Sequence, residues 1–550
     1  MKTPNPADRI RETFRKIRET GPQPIWIHVR DEADVLAELE ALDPALPLYG
    51  VPFAVKDNID VAGIPTTAAC PAFAYTPTET APAVRRLQDA GALLIGKTNM
   101  DQFATGLVGT RTPYGICSSV FNPDYLSGGS SSGSAVAVAS GLVAFALGTD
   151  TAGSGRVPAA FNGIVGLKPT RGLLSTRGVV PACRSLDCVS IFAKTTDEAL
   201  TVLDIAAGHD PHDPWSRPFP TLAGRSGPVR IGIPHEDQLE FFGDDEAARI
   251  FAEGAARFEA FETVRVDISE FLEAARLLYG GAWVAERDHA FGAFLREHPE
   301  AVDPTVFRIV TGAPPRSAVD AFSGFYRLQE LRKQTEPIWE SIDALLLPTT
   351  PTIYRIVDVI NDPITLNSRL GTYTNFVNLL DLAAIAFPGG LRRDGLPAGL
   401  TLVGPAFHDH RLATLAGFGI PDRQTIPLAV VGAHLTGQPL NGQLTERGAT
   451  LLRTTTTSPD YRLHALDTVP PKPGLVRVPD GGVAIEVEVW DMPVDQFGSF
   501  VALIPPPLGI GSIQVADGSW VKGFICEPAP LEAAPDISHF GGWRNYRASL

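Results

Sequence analysis

Residues 127–158 read SGGSSSGSAVAVASGLVAFALGTDTAGSGRVP. Taken alone, the opening GGSSSGS has the composition of a flexible linker. It runs directly into the small apolar residues 135–139 and then the strand-like 143–148, so the loop enters buried structure instead of bridging two domains. Glycines let the backbone turn tightly and approach a ligand, and a serine on such a turn presents its hydroxyl without strand neighbours. A second turn, residues 149–154 (TDTAGS), follows the strand and precedes 156–161, where Pro158 suits an early helical position. Ser154 therefore stands beside several backbone N–H groups near a helix start. Such groups are oriented to stabilise an oxyanion, and removing one donor of this kind costs roughly 2.7–4 kcal/mol in other enzymes.

A serine nucleophile needs a base, and none of the 11 histidines lies between His28 and His209. The G-x-S-x-G elbow of α/β-hydrolases is also missing, since the run around the serine is Ala152-Gly153-Ser154-Gly155-Arg156. Lysine is the alternative. Lys56 ends the apolar run 51–55 (VPFAV) and precedes Asp57-Asn58, which buries its stem and leaves its amine at a strand end. Burial disfavours ammonium and lowers a lysine pKa from about 10.4 by several units, enough for a neutral amine near pH 7.

Four stretches in order, GVPFAVKDNIDVAG (50–63), GKTNMDQFATG (96–106), SGGSSSGS (127–134) and GTDTAGSGRVPAAFNGIVGLKPT (148–170), resemble the amidase signature family over about residues 45–415. The resemblance implies an α/β fold with a mixed central β-sheet covered by helices. It implies a Ser–Ser–Lys triad: Ser154 as nucleophile, Ser130 as the bridging serine on a cis peptide, and Lys56 as the ultimate base. Thr151, Ala152 and Gly153 would supply oxyanion-hole N–H groups, Ser131 would support the network, and Gly106 would let the backbone approach the substrate. A serine relay suits this chemistry, because one short proton path both activates the nucleophile and protonates a poor amine leaving group.

The scaffold does not set the amide. In ARLLYGGAWVAERDHAF (275–291), Tyr279 and Arg287 are eight residues apart, about two turns, so they are expected to share a helix face. The run is similar to the substrate-carboxylate segment of the allophanate hydrolase branch of the family, and the stretch 371–407 also resembles that branch more than a generic amidase. The opening of the tail, VVGAHLTGQPLNGQL (430–444), resembles the C-terminal domain of that branch, a module with a γ-glutamylcyclotransferase-like fold. The implied reaction is hydrolysis of allophanate, a small anionic amide, to N-carboxycarbamate and then to ammonia and CO2. His434 is the candidate for the decarboxylating step. Two rival readings are a different amidase signature enzyme, including the glutaminase-type component of a tRNA-dependent amidotransferase, and a catalytically silent scaffold.

Around this centre the chain opens with helical patterns at 6–20 and 31–41, carries α/β texture from 48 to about 403, and has a Pro-rich connection at 207–228. Alternating strands follow. Val483, Ile485, Val487 and Val489 are expected on one face, Glu486 and Glu488 on the other, and Asp517-Gly518 marks a hairpin. We expect a boundary at 421–427, dividing an amidase domain (1–424) from a mainly β domain (428–550).

Composition excludes other classes. Of 550 residues 44% are hydrophobic and 20% charged, which rules out disorder. With 46 Lys and Arg against 62 Asp and Glu the formal charge is −16, a field that repels nucleic acids and anionic membranes. No run of 18 apolar residues suggests a membrane span, and five cysteines at no ligand spacing fit a reducing cytoplasm. His209, His212, His408 and His410 have no third ligand nearby, so no metal and no cofactor are expected. The resemblance implies a homodimer and functional coupling to a urea carboxylase. Because the mean field gives no help in collecting a carboxylate, recognition must be local, which places weight on Arg287.

Overall fold

A mixed sheet of eleven strands organises the larger of two compact units, residues 1–421 and 422–550. The computed structural model describes residues 5–21, 24–220, 228–312, 317–421, 425–531 and 533–550. Part of the expected boundary (422–424) and of the Pro-rich connection (221–227) lies outside the described residues.

In chain order the strands are β1 (Trp26–Val29), β2 (Val51–Lys56), β3 (Ala92–Thr98), β4 (Phe145–Asp150), β5 (Val165–Lys168), β6 (Cys188–Ala193), β7 (Arg230–Pro234), β8 (Glu262–Val266), β9 (Ala344–Pro348), β10 (Leu382–Leu391) and β11 (Pro397–Pro405). Their order in the sheet is β1-β3-β2-β4-β6-β5-β10-β11-β9-β7-β8. The helix Pro6–Glu19 matches the first helical pattern, and Glu32–Ala41 matches the second. Between them lies the four-residue β1, antiparallel to β3, which the helical patterning does not announce. The apolar run at 143–148 begins its strand two residues later, at Phe145.

β2 and β4 run parallel and adjacent, with Val55 opposite Leu147, so both chains leave the sheet at the same edge. Strand side chains alternate between faces. Phe53 and Val55 enter one core with Leu147, whereas Ala54 packs on the other face with Ala135 and Val136 of the helix Ser132–Ala139. Lys56 follows Ala54 by two and therefore points to the side where the Gly/Ser loop enters that helix.

The smaller unit carries a five-stranded sheet and a two-stranded ribbon. Its strands are β12 (Thr425–Val430), β13 (Thr450–Thr456), β14 (Tyr461–Leu466), β15 (Lys472–Arg477), β16 (Glu486–Pro493), β17 (Leu508–Gln514) and β18 (Trp520–Cys526). The sheet order is β13-β16-β12-β18-β17, β14 and β15 form the ribbon, and Gly518 turns the β17–β18 hairpin with φ +85°. Whereas Val483, ahead of the first residue of β16, is 38% exposed, Ile485, Val487 and Val489 are buried as the alternation requires. Glu488 departs from it: it is buried, because Arg544 donates to it at 2.5 Å and Thr436 N–H and Trp490 Nε1–H also donate.

Candidate active site

The end of β2 brings a fully buried lysine to a serine. Lys56 Nζ donates to Ser130 Oγ at 2.7 Å and to Thr149 Oγ1 at 2.7 Å. Burial pushes its pKa down to about 7, against the opposing pull of Asp101, Asp150 and Asp187. Ser130 follows a cis peptide after Gly129. Ser131 ties this loop to β4, donating to Thr149 O at 3.1 Å and accepting from Thr149 N–H at 3.3 Å. Asn58 Nδ2 also donates to Thr149 Oγ1, at 3.3 Å, which makes the threonine hydroxyl the anchor for the lysine amine.

Ser154 lies on the turn after β4, 3% exposed, and its hydroxyl donates to Gly106 O at 3.4 Å. Among the described residues no hydrogen bond joins Ser154 to Ser130, so that step of the relay is not formed in this arrangement. The turn is held from inside by Asp150, whose carboxylate accepts from Gly153 N–H at 2.8 Å and Gly155 N–H at 3.0 Å. It also forms a fully buried ion pair with Arg156 at 3.0 Å. Arg156 reaches on to Thr374 O and Asn378 Oδ1. Thr374 Oγ1 donates to Ala152 O and Asn378 Nδ2 to Asp150 O, each at 2.7 Å.

These bonds correct one expectation. The N–H of Gly153 is engaged by Asp150 and is not free to meet an oxyanion, because the carboxylate that opens the turn captures the donors three and five residues on. The N–H groups of Thr151, Ala152 and Ser154 meet no acceptor among the described residues. On the outer side of the turn, Thr151 Oγ1 donates to Asp187 Oδ1 at 2.5 Å. Asp187 is buried, with its pKa pushed up to about 6 by that burial.

Arg287 is 1% exposed, donates from Nη1 to Thr105 Oγ1 at 3.0 Å, and lies with its guanidinium carbon 5.6 Å from the Tyr279 ring centroid. No carboxylate lies within ion-pair distance of it among the described residues. The two side chains meet by a route other than the one expected. Tyr279 lies in the last turn of the helix Ser269–Gly280, and Arg287 lies in the next helix, at the point where Trp283–Arg287 passes into the π-helical turn Asp288–Gly292. Gly281 breaks the path between them with φ −94° and ψ −158°, so a turn and not a shared helix face brings the pair together. Thr105 also places Gly106. The glycine has φ +154°, and a Cβ there would come 2.7 Å from Asp101 Oδ2, so only glycine fits while its carbonyl faces Ser154.

Within the smaller unit His434 is 8% exposed, bonded through Nε2 to Gln443 Oε1 at 2.9 Å and stacked on Phe524 at 4.9 Å. Burial lowers its pKa and favours the neutral ring. It shares a largely apolar pocket with Lys472 and Leu508.

Thr149, Asp150, Arg156, Thr105 and Asp187 join the site without having been singled out from the sequence. Asp150 and Arg156 carry a usable signal, opposite charges flanking the serine turn. Thr105 and Asp187 carry none, since their partners are 182 and 36 residues away.

The Amidase family profile matches residues 10–413, and the profile of the allophanate hydrolase C-terminal domain matches 426–548. The chain is 46% identical to the urea amidolyase of Saccharomyces cerevisiae over 95% of its own length, and spans about a third of the length of this and a second urea amidolyase relative. One component of the glutamyl-tRNA(Gln) amidotransferase of Symbiobacterium thermophilum is 36% identical over 71% of this chain and 86% of that one. The solved allophanate hydrolase of Kluyveromyces lactis superposes with a TM-score of 0.73 at 44% identity, covering 100% of this chain and 97% of that one.

Proposed function

The chain belongs to the amidase family, with an allophanate hydrolase C-terminal domain after it, and from that premise we propose that it hydrolyses allophanate by a Ser–Ser–Lys relay. The observation that carries the substrate is Arg287, a buried guanidinium without a carboxylate partner among the described residues, set beside Tyr279 and Thr105. Asp187 and Glu286 favour its charge from beyond ion-pair distance and leave the guanidinium without a direct carboxylate contact, a place that a small substrate carboxylate fits.

Neutral Lys56 takes the Ser130 proton as Ser130 takes that of Ser154, and Ser154 Oγ attacks the terminal carbamoyl carbon. The free N–H groups of Thr151 and Ala152 receive the developing oxyanion, Ser131 holds the Ser130 loop, and Gly106 lines the approach. The relay returns its proton to the nitrogen of the departing ammonia, and water then releases N-carboxycarbamate from Ser154. The second unit, with His434, serves its decarboxylation.

The same reading places the enzyme in the cytoplasm as a homodimer acting after a urea carboxylase. Five free cysteines support a reducing compartment, and the urea amidolyase relatives support the coupling. Ser154→Ala tests the whole reading: it should abolish ammonia release from allophanate with the fold intact, and retained turnover would refute it.

A further inference from the structure

We infer that Asp187 is a positioning residue for acyl transfer, acting through the Thr151 hydroxyl on the turn that presents Ser154. The inference rests on the reading of Ser154 as nucleophile.

The turn has several restraints, and they differ in kind. Asp150, Thr374 and Asn378 hold it through main-chain groups: the N–H of Gly153 and Gly155 and the carbonyls of Ala152 and Asp150. Each of those groups is consumed by its restraint. Thr151 is held by its side chain, which leaves its own N–H and that of Ala152 available for an oxyanion.

Asp187 is built for this role. Its carboxylate accepts from Ala182 N–H at 2.9 Å and Cys183 N–H at 3.1 Å, which pin it to its own loop, and the oxygen that meets Cys183 also meets Thr151. Unlike Asp150 it has no ion-pair partner among the described residues. Arg287 acts on it only from beyond ion-pair distance, so a carboxylate buried this deeply depends on its hydrogen bonds to stay ionised. Here three donors converge on it, and the only side chain among them belongs to the serine turn. Oxyanion donors must lie within a few tenths of an ångström of their working positions, so a restraint on Thr151 is read out in the transition state and not in substrate binding.

Thr151→Val removes the hydroxyl at nearly constant volume, Thr151→Ser keeps it, and Asp187→Asn removes the charge. With allophanate as substrate, Thr151→Val and Asp187→Asn should each lower kcat by between about tenfold and 100-fold, with KM changed less than about twofold. The double variant should be no slower than the slower single one, because both changes cut the same contact. Thr151→Ser should recover most of the loss. Thermal unfolding is recorded for every variant, and if Asp187→Asn does not fold, the Thr151→Val and Thr151→Ser pair decides the matter. Unchanged kcat in Thr151→Val, additive losses in the double variant, or equal damage from Ser and Val would overturn the inference. Ser154→Ala separates the two ideas. Turnover in that variant sinks the nucleophile assignment itself, whereas a dead Ser154→Ala beside a fully active Thr151→Val sinks only the role of Asp187.

Discussion

The Lys56 amine and the Ser130 hydroxyl meet at 2.7 Å with neither side chain reached by solvent. A lysine so placed is a base only when neutral. As an ammonium it has three donors and nothing with which to accept the Ser130 proton. As a neutral amine it keeps an N–H for Thr149 and turns its lone pair to Ser130.

Activity should therefore rise with pH through about 7, the value to which burial lowers this lysine, and level off above it. The stability effect has its own sign. The folded pKa lies below the unfolded one, so the unfolded chain binds the extra proton between about 7 and 10.5. The penalty is full below about pH 7 and fades as pH rises toward 10.5. Its size is roughly 3 to 5 kcal/mol at neutral pH. Lys56→Met should thus be inactive yet melt higher than the parent at pH 6 to 7, with the gap narrowing toward pH 10. A pH profile of kcat together with calorimetry at several pH values checks both signs.

Arg156 gives a prediction of the opposite kind. It is fully buried against Asp150 and continues to Thr374 and Asn378. Arg156→Leu strands a buried carboxylate, and breaking one side of such a pair costs about 3–5 kcal/mol. Soluble yield and melting temperature should both drop, and any folded fraction should be slow because the Ser154 turn loses its frame. A variant that melts like the parent would show that Asp150 is held well enough by the turn's own N–H groups.

How far these features are visible in the chain follows from the range of the contacts involved. Lys56 and Ser154 stand at a strand end and a glycine turn that local pattern singles out, Ser130 is named only by the family resemblance, and parallel β2 and β4 bring the ends of those strands to one edge. Tyr279 and Arg287 do form a pair, but not along one helix, because periodicity carries a helix through Gly280 and Gly281 where the backbone turns. Gly153 is expected as a donor only through the family resemblance, and nothing in the glycine's surroundings announces that a carboxylate three residues back takes its N–H. Strict alternation assigns Glu488 to the outer face, and that holds only until a distant arginine covers it. Asp187 and Thr105 act across long sequence separations, and no local signal exists for either.

Recognition of the substrate's acid group should be separable from catalysis. Arg287→Ala should raise KM for allophanate by about tenfold to 100-fold, the worth of a charge-assisted hydrogen bond, while a neutral amide of similar size is affected far less. Thr105→Val should move KM in the same direction by a smaller factor, since it removes the acceptor at 3.0 Å that orients the guanidinium and leaves the charge in place. Equal effects of Arg287→Ala on both substrates, measured by initial-rate kinetics, would mean that the arginine supports the fold and does not read the carboxylate.

The last prediction concerns the division of labour between the two units. His434 is held by Gln443 and Phe524 in a neutral form, close to Lys472 in the lining of one pocket, an arrangement able to handle a small anion and a proton together. His434→Ala should leave the first ammonia release from allophanate unchanged, because Lys56, Ser130, Ser154 and Arg287 all belong to residues 1–421. The later steps should slow, so that 13C NMR of labelled substrate shows N-carboxycarbamate building up before CO2 appears. A chain ending at Pro421 should behave in the same way if it folds. Loss of the first ammonia in the full-length His434→Ala protein, with its melting temperature intact, would place the histidine in the amide-cleaving step and undo the two-step assignment. If CO2 instead appears as fast as in the parent with no intermediate visible, His434 has no part in decarboxylation, and its contacts with Gln443 and Phe524 serve packing alone.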